Sequence, residues 1–176
     1  MKKIYLLVLA LALFFSSCEK DDICDANTAT TPRLVIQFYD FANPSVLKNV
    51  TNLKVVGAGM TDGIIFNPTA TGDSKYLSNG NTVSIPLKTN DITTSYTFTL
   101  NSGNSNPALI NVDNIQFDYT KKDIFVSRAC GFKTIFTLNP TNPYKHTIAA
   151  DKWIKYISVE KSNIENENET HIKIFF

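Results

Sequence analysis

Ser95-Tyr96-Thr97-Phe98-Thr99-Leu100 decides the fold. Large apolar side chains take every second position, and small hydroxyl side chains fill the positions between them. Successive side chains of an extended chain point to opposite faces. This stretch is therefore a strand with one face in a core and the other toward water.

The same period recurs outward in both directions. Upstream, Val83, Ile85 and Leu87 alternate with Thr82, Ser84 and Pro86. Proline has no ladder donor, so this strand belongs at a sheet edge. Leu34, Ile36 and Phe38 alternate with Val35, Gln37 and Tyr39, and Leu53 and Val55 follow an Asn43-Pro44 turn. Downstream, Ala108, Ile110 and Val112 form a run whose phase slips to Ile115, Phe117 and Tyr119. That slip predicts a bulge or turn at Asp113-Asn114. Lys121-Lys122-Asp123 reads as a hairpin tip, followed by strands over 124–127 and 132–138. Residues 153–159 and 171–176 read as a last hairpin around the polar stretch 163–170. Only residues 149–156 offer as much as one helical turn. The expected architecture is all-β: a single two-sheet antiparallel β-sandwich, immunoglobulin-like, with about 8–9 strands. A transmembrane barrel needs strands of about 9–11 residues, and most runs here are shorter.

The N-terminus carries an address. Lys2 and Lys3 precede an uncharged apolar run from Ile4 to Phe15, then Ser16, Ser17 and Cys18. A basic start, a short apolar run and a small-residue boundary describe an export signal. The run falls short of the roughly 20 residues that span a bilayer. Phe15-Ser16-Ser17-Cys18 resembles the lipobox of bacterial lipoproteins, with Phe where Leu is usual. That resemblance makes Cys18 the lipidation site. Ordinary secretion, with a cysteine near the cleavage point, is the alternative. The division that follows is a signal peptide over 1–17, a lipidated tether and linker over 18–32, and a β-sandwich domain over 33–176. Glu19-Lys20-Asp21-Asp22 is either a solvated charged tether or an acidic surface-export stretch.

Without residues 1–17 the chain has 176 − 17 = 159 residues, enough for one domain with a sizeable core. It keeps 15 basic residues (17 less Lys2 and Lys3) against 16 acidic ones, a net charge near −1. No strong field attracts nucleic acid, and no basic cluster is interleaved with aromatics. With Cys18 assigned to lipid, Cys24 and Cys130 remain. An even pair in an oxidising compartment reads as a disulfide. Two free thiols and a metal site are the competing readings, and neither histidine lies near a cysteine in sequence. If the pair is bonded, at most about 20 Å of chain separates Cys18 from Cys24, which leashes the lipid to one end of the sandwich.

Nothing in the chain nominates catalysis. Gly57, Gly59 and Gly63 follow a strand but miss the dinucleotide-binding spacing, and no helix is expected after them. They read as turn glycines. His146 and His171 sit in no nucleophile motif. Asp62 and Asp73 lack calcium-loop spacing. No catalytic residue, metal or cofactor is expected. Tyr39, Phe41, Tyr76, Tyr144, Trp153 and Tyr156 fall at strand ends or in loops, where they serve either the core or a stacking rim for glycans.

Three stretches taken together resemble a known family: residues 18–24, residues 31–40, and Val126 to Thr134 around Cys130. They are similar to an uncharacterised family of Bacteroidota lipoproteins with a domain of unknown function. The resemblance implies lipidation and Cys24–Cys130 pairing, and it brings no activity. The function expected is that of a non-enzymatic cell-envelope lipoprotein of the outer membrane, held by its N-terminal lipid. Its sandwich serves as an interaction or assembly module toward another envelope protein. Glycan or small-ligand binding is the alternative. The sequence leaves the periplasmic and the surface-exposed face both open.

Overall fold

The computed structural model describes residues 23–26, 28, 30–146 and 152–176. Residues 1–17 and Cys18 lie outside the described residues. Among the described residues, eleven strands form two sheets. They are β1 (Leu34–Tyr39), β2 (Leu53–Gly57), β3 (Leu77–Ser78), β4 (Thr82–Ile85), β5 (Thr93–Leu100) and β6 (Asn111–Ser127). After these come β7 (Gly131–Leu138), β8 (Tyr144–His146), β9 (Tyr156–Val159), β10 (Asn163–Ile164) and β11 (Ile172–Phe175).

One sheet has the order β4-β1-β11-β9. The other has the order β10-β7-β6-β5-β2-β3, with β8 added alongside β6. Neither sheet closes on itself among the described residues, so the chain is a β-sandwich. Two strands, β3 and β10, are only two residues long, which raises the count above the sequence expectation. One pairing is parallel: β1 runs beside β11, with Ile36 opposite Ile172 and Phe38 opposite Ile174. The other strand pairs among the described residues are antiparallel. As Pro86 implied, β4 ends just before it and lies at a sheet edge.

The core follows the two-residue period. Leu34, Ile36 and Phe38 of β1 are fully buried, as are Ile172 and Ile174 of β11. Facing them are Leu53 and Val55 of β2, Tyr96 and Phe98 of β5, and Ile115 and Phe117 of β6. Each such side chain contributes roughly 1.5–3 kcal/mol by leaving water.

β6 departs from the sequence reading in two places. No turn interrupts it at Asp113-Asn114. Instead Val112 is 40 % exposed and Asp113 is wholly buried. The inward set is 113, 115, 117 and 119, and its first member is a carboxylate, which disguises the phase. Nor is Lys121-Lys122-Asp123 a hairpin tip. These residues pair in register with Phe136, Ile135 and Thr134 of β7. The tip lies beyond them at Arg128-Ala129-Cys130, where Gly131 adopts the left-handed φ of 69° that the turn needs.

The ladder to β5 ends at Asp118, and beyond Tyr119 β6 pairs with β7 alone. β10 pairs with β7 only at Phe136 and Thr137, opposite Lys121 and Thr120, so residues 122–135 project past the rest of the sheet as a two-stranded arm.

Candidate functional site

Three places gather unusual side chains: a buried polar knot, a crevice between the sheets, and the end of the arm.

The knot centres on Asp113. Its Oδ2 accepts hydrogen bonds from the backbone N–H groups of Trp153 and Ile154, both at 3.0 Å. Its Oδ1 lies 3.1 Å from Nε2 of His146, which is the donor. Both side chains are enclosed, at 0 % and 1 % exposure. His146 is placed by β8. A buried carboxylate is tolerated when donors surround it, and this one ties β6, β8 and the segment entering β9 together. With both oxygens committed to these contacts, the pair is a structural clamp. His171, the other histidine, is fully buried where β11 meets β1. Its Nδ1 accepts a hydrogen bond from the Val35 N–H at 2.9 Å. The backbone N–H of His171 donates back to the Val35 carbonyl at 3.0 Å, while its ring Nε2 is buried without a hydrogen-bond partner. Burial holds its pKa below 6.5, against an opposing pull from Glu169 and Glu167.

A crevice of about 440 Å³ opens where the end of β4 meets β2 and β5. Met60, Ile64, Ile65, Pro86 and Tyr96 give it apolar walls, and Arg33, Lys88 and Asp62 add charge. The glycines suspected as turn residues lie beside it. β2 ends at Gly57, Gly59 has a φ of 82°, and Gly63 returns to bridge Val56. The next helical residues are a single 3-10 turn at Gly72–Tyr76, and no α-helix opens at the glycines, so they form no pyrophosphate cradle. Among the described residues, no three metal-ligating side chains gather, and Asp62 and Asp73 form no cation site.

The floor of the crevice is pinned by a small network. Tyr119 donates to the Lys88 carbonyl at 2.9 Å, which leaves Thr94 as the donor in the 2.6 Å Thr94–Tyr119 contact. The Lys88 N–H completes the set by donating to Thr94 Oγ1 at 3.0 Å.

The arm carries the cysteines. Cys24 and Cys130 form a disulfide with their Cα atoms 4.9 Å apart, within the ordinary range. Beyond the bridge, the Thr134 N–H donates to Thr31 Oγ1 at 2.9 Å. Cys24 and Thr31 are therefore both held on the arm, Cys24 at its tip and Thr31 nearer the sandwich. Phe125 and Phe132 face each other across β6 and β7 near the tip. Their ring centroids are 5.5 Å apart, and they are 58 % and 69 % exposed. Sequence reading assigned both to ordinary strands. Their exposure follows from the projection of the arm, which no local pattern signals.

The suspected aromatic rim does not assemble as one surface. Trp153 is in the core, where it packs against Phe38 and Phe176, and Tyr76 is buried. Tyr144 donates to the Ile157 carbonyl at 2.9 Å. Phe41 is exposed on a separate loop. Only Tyr39 and Tyr156 meet on one face, on either side of Phe175 at 5.5 and 5.6 Å.

Fold and side chains together define an all-β sandwich with a disulfide-braced arm and an interior clamp. The chain belongs to the DUF6452 family, a family of unknown function whose model matches residues 52–176. No curated protein and no solved structure matches the chain. The matched span includes Cys130 but begins after Cys24 and β1, although β1 lies inside the four-stranded sheet.

Proposed function

We propose that this protein is an outer-membrane lipoprotein, anchored through Cys18, whose sandwich is a non-enzymatic module for binding another envelope protein. The observation that carries the reading is the Cys24–Cys130 bridge. It fixes the segment next to Cys18 at the tip of the arm, so an anchored lipid and the bulk of the sandwich fall at opposite ends of the molecule. The far end holds the loops over 40–52 and 101–110. These loops join through the Asn101 N–H to the Thr51 carbonyl at 2.9 Å and the Ser102 N–H to the Asn52 carbonyl at 3.0 Å. They expose Phe41, Val46, Leu47 and Leu109, which suit a protein contact. The non-enzymatic reading is supported by the clamp, whose two side chains are enclosed and whose carboxylate has both oxygens committed to internal donors.

Metabolic labelling with a fatty acid tests the anchor. The wild-type chain takes up label and stays with membranes, and Cys18→Ala abolishes both. Labelling of the variant would overturn the reading. For the module, pull-down from detergent-solubilised envelope should enrich a partner that Leu47→Asp releases. Equal recovery by the variant would remove the loops from consideration.

A second reading, small-ligand binding, is favoured by the crevice between β4, β2 and β5. Its apolar walls and flanking Arg33 and Lys88 suit a small apolar molecule with an anionic group. A ligand panel that raises the melting temperature of wild type but not of Ile64→Asp would establish it. Equal shifts in both proteins would count against the crevice.

A further inference from the structure

We infer that the tip of the β6–β7 arm docks on the phospholipid surface itself, through Ile23, Phe125 and Phe132. The inference rests on the anchor reading and adds a second, non-covalent contact that sets the orientation of the domain.

Exposure is the first observation. Ile23 is 84 % exposed, Phe132 69 % and Phe125 58 %. The disulfide and the strand register bring all three to one end of the molecule. Phe125 and Phe132 continue the inward-facing sets of β6 and β7, which hold Tyr119 and Phe136 in the core. At the arm the second sheet has ended, so these rings keep an inward-facing identity without a core. Large apolar groups clustered at an exposed tip mark a contact with a membrane or a partner.

Tether length decides between those two. Ile23 is five residues from Cys18, at most about 18 Å of extended chain. A lipid on Cys18 holds this tip at the bilayer, too close for a sizeable partner to intervene.

Residues 122–135 carry Lys122, Arg128 and Lys133 against Asp123, whose carboxylate accepts from Thr134 Oγ1 at 2.6 Å. Asp25 lies next to the bridge, and Glu19, Asp21 and Asp22 outnumber Lys20 in the tether, so the tip has no net basic field and the docking rests on its apolar side chains. The rings and Ile23 enter the boundary below the headgroups, while Lys122, Arg128 and Lys133 reach the phosphates.

The test uses the full chain purified from membranes and reconstituted into phosphatidylethanolamine–phosphatidylglycerol vesicles with brominated acyl chains. Trp153 is buried and gives a constant background. Phe132→Trp adds a reporter at the tip, and Phe41→Trp adds one at the far loops. The expected result is loss and blue shift of the added emission in Phe132→Trp, with neither in Phe41→Trp. Intact mass on the same samples reports acylation of Cys18. Acylated Phe132→Trp whose emission is unchanged by the brominated lipid would overturn the docking and leave the anchor standing. Protein lacking the acyl mass would overturn both. Equal quenching of the two reporters would overturn the orientation, since the domain would then lie flat.

Discussion

Asp113 shows how one residue can hide a strand from sequence reading. The hydrophobic period of β6 breaks where an acid takes a core position, because two backbone N–H groups and His146 need an acceptor there. Asp113→Ala would leave those donors buried without a partner. The expected loss is about 3–5 kcal/mol, read as a lowered urea midpoint. A change under about 1 kcal/mol would mean the donors find water. His171 gives a pH dependence. Burial lowers its pKa below 6.5. Above pH 6.5 both folded and unfolded chains hold a neutral imidazole, and stability is at its full value. As the pH falls below 6.5 the unfolded chain takes up the proton first, so stability drops until the folded group also titrates. NMR titration of the imidazole should therefore give a midpoint below 6.5. A midpoint above 6.5 would refute the assignment. Burial at the β1–β11 seam is the cause, and protonation at Nδ1 would also remove the acceptor of the Val35 N–H.

At the scale of elements, alternation made most of the sandwich legible. β1, β4, β5 and β7 lie where their two-residue periods put them, and the proline at the end of β4 marks an edge. The arm was not legible. Lys121-Lys122-Asp123 looks like a turn because a strand with neither face buried loses the pattern that identifies strands. Nor does sequence show that Phe125 and Phe132 stay exposed, since that depends on where the other sheet stops. A two-stranded ribbon alone is marginally stable. This one is braced by the Cys24–Cys130 bridge and the Thr31–Thr134 bond. Replacing both cysteines with serine should speed amide exchange over 121–126 and 132–135, and leave β5 and the β5-paired part of β6 protected. Uniform acceleration would show that the bridge supports the whole sandwich equally. At the base of the arm, Tyr119→Phe removes the donor to Lys88 and the acceptor for Thr94. A cost of about 1–3 kcal/mol is expected in denaturant unfolding.

On the scale of the whole molecule, the bridge closes a sequence separation of 106 residues. In the chain-entropy model such a loop is worth about 4–5 kcal/mol. That is an upper figure, because opening the bridge also frees the segment before β1. Reduction should lower the melting temperature of the domain without changing its far-UV circular dichroism at 25 °C. Loss of the β signal on reduction would mean the sandwich cannot stand without the bridge. The legible part at this scale was the pairing of the cysteines. Which end of the sandwich they occupy required the register of β6 and β7.

The parallel pairing of β1 and β11 has a temporal meaning. β1 lies between β4 and β11, and its contacts with the His171 region span 136 residues of sequence. During synthesis from the N-terminus, β1 is the first of the described strands to emerge and its neighbour β11 follows the other nine. The four-stranded sheet therefore stays open until residues 172–175 arrive, and the two-sheet core cannot be sealed earlier. Distant pairings of this kind slow folding, because the loop-closure entropy comes before the reward. If the chain is exported as proposed above, that delay lets it cross a membrane unfolded and lock only once β11 slides in beside β1.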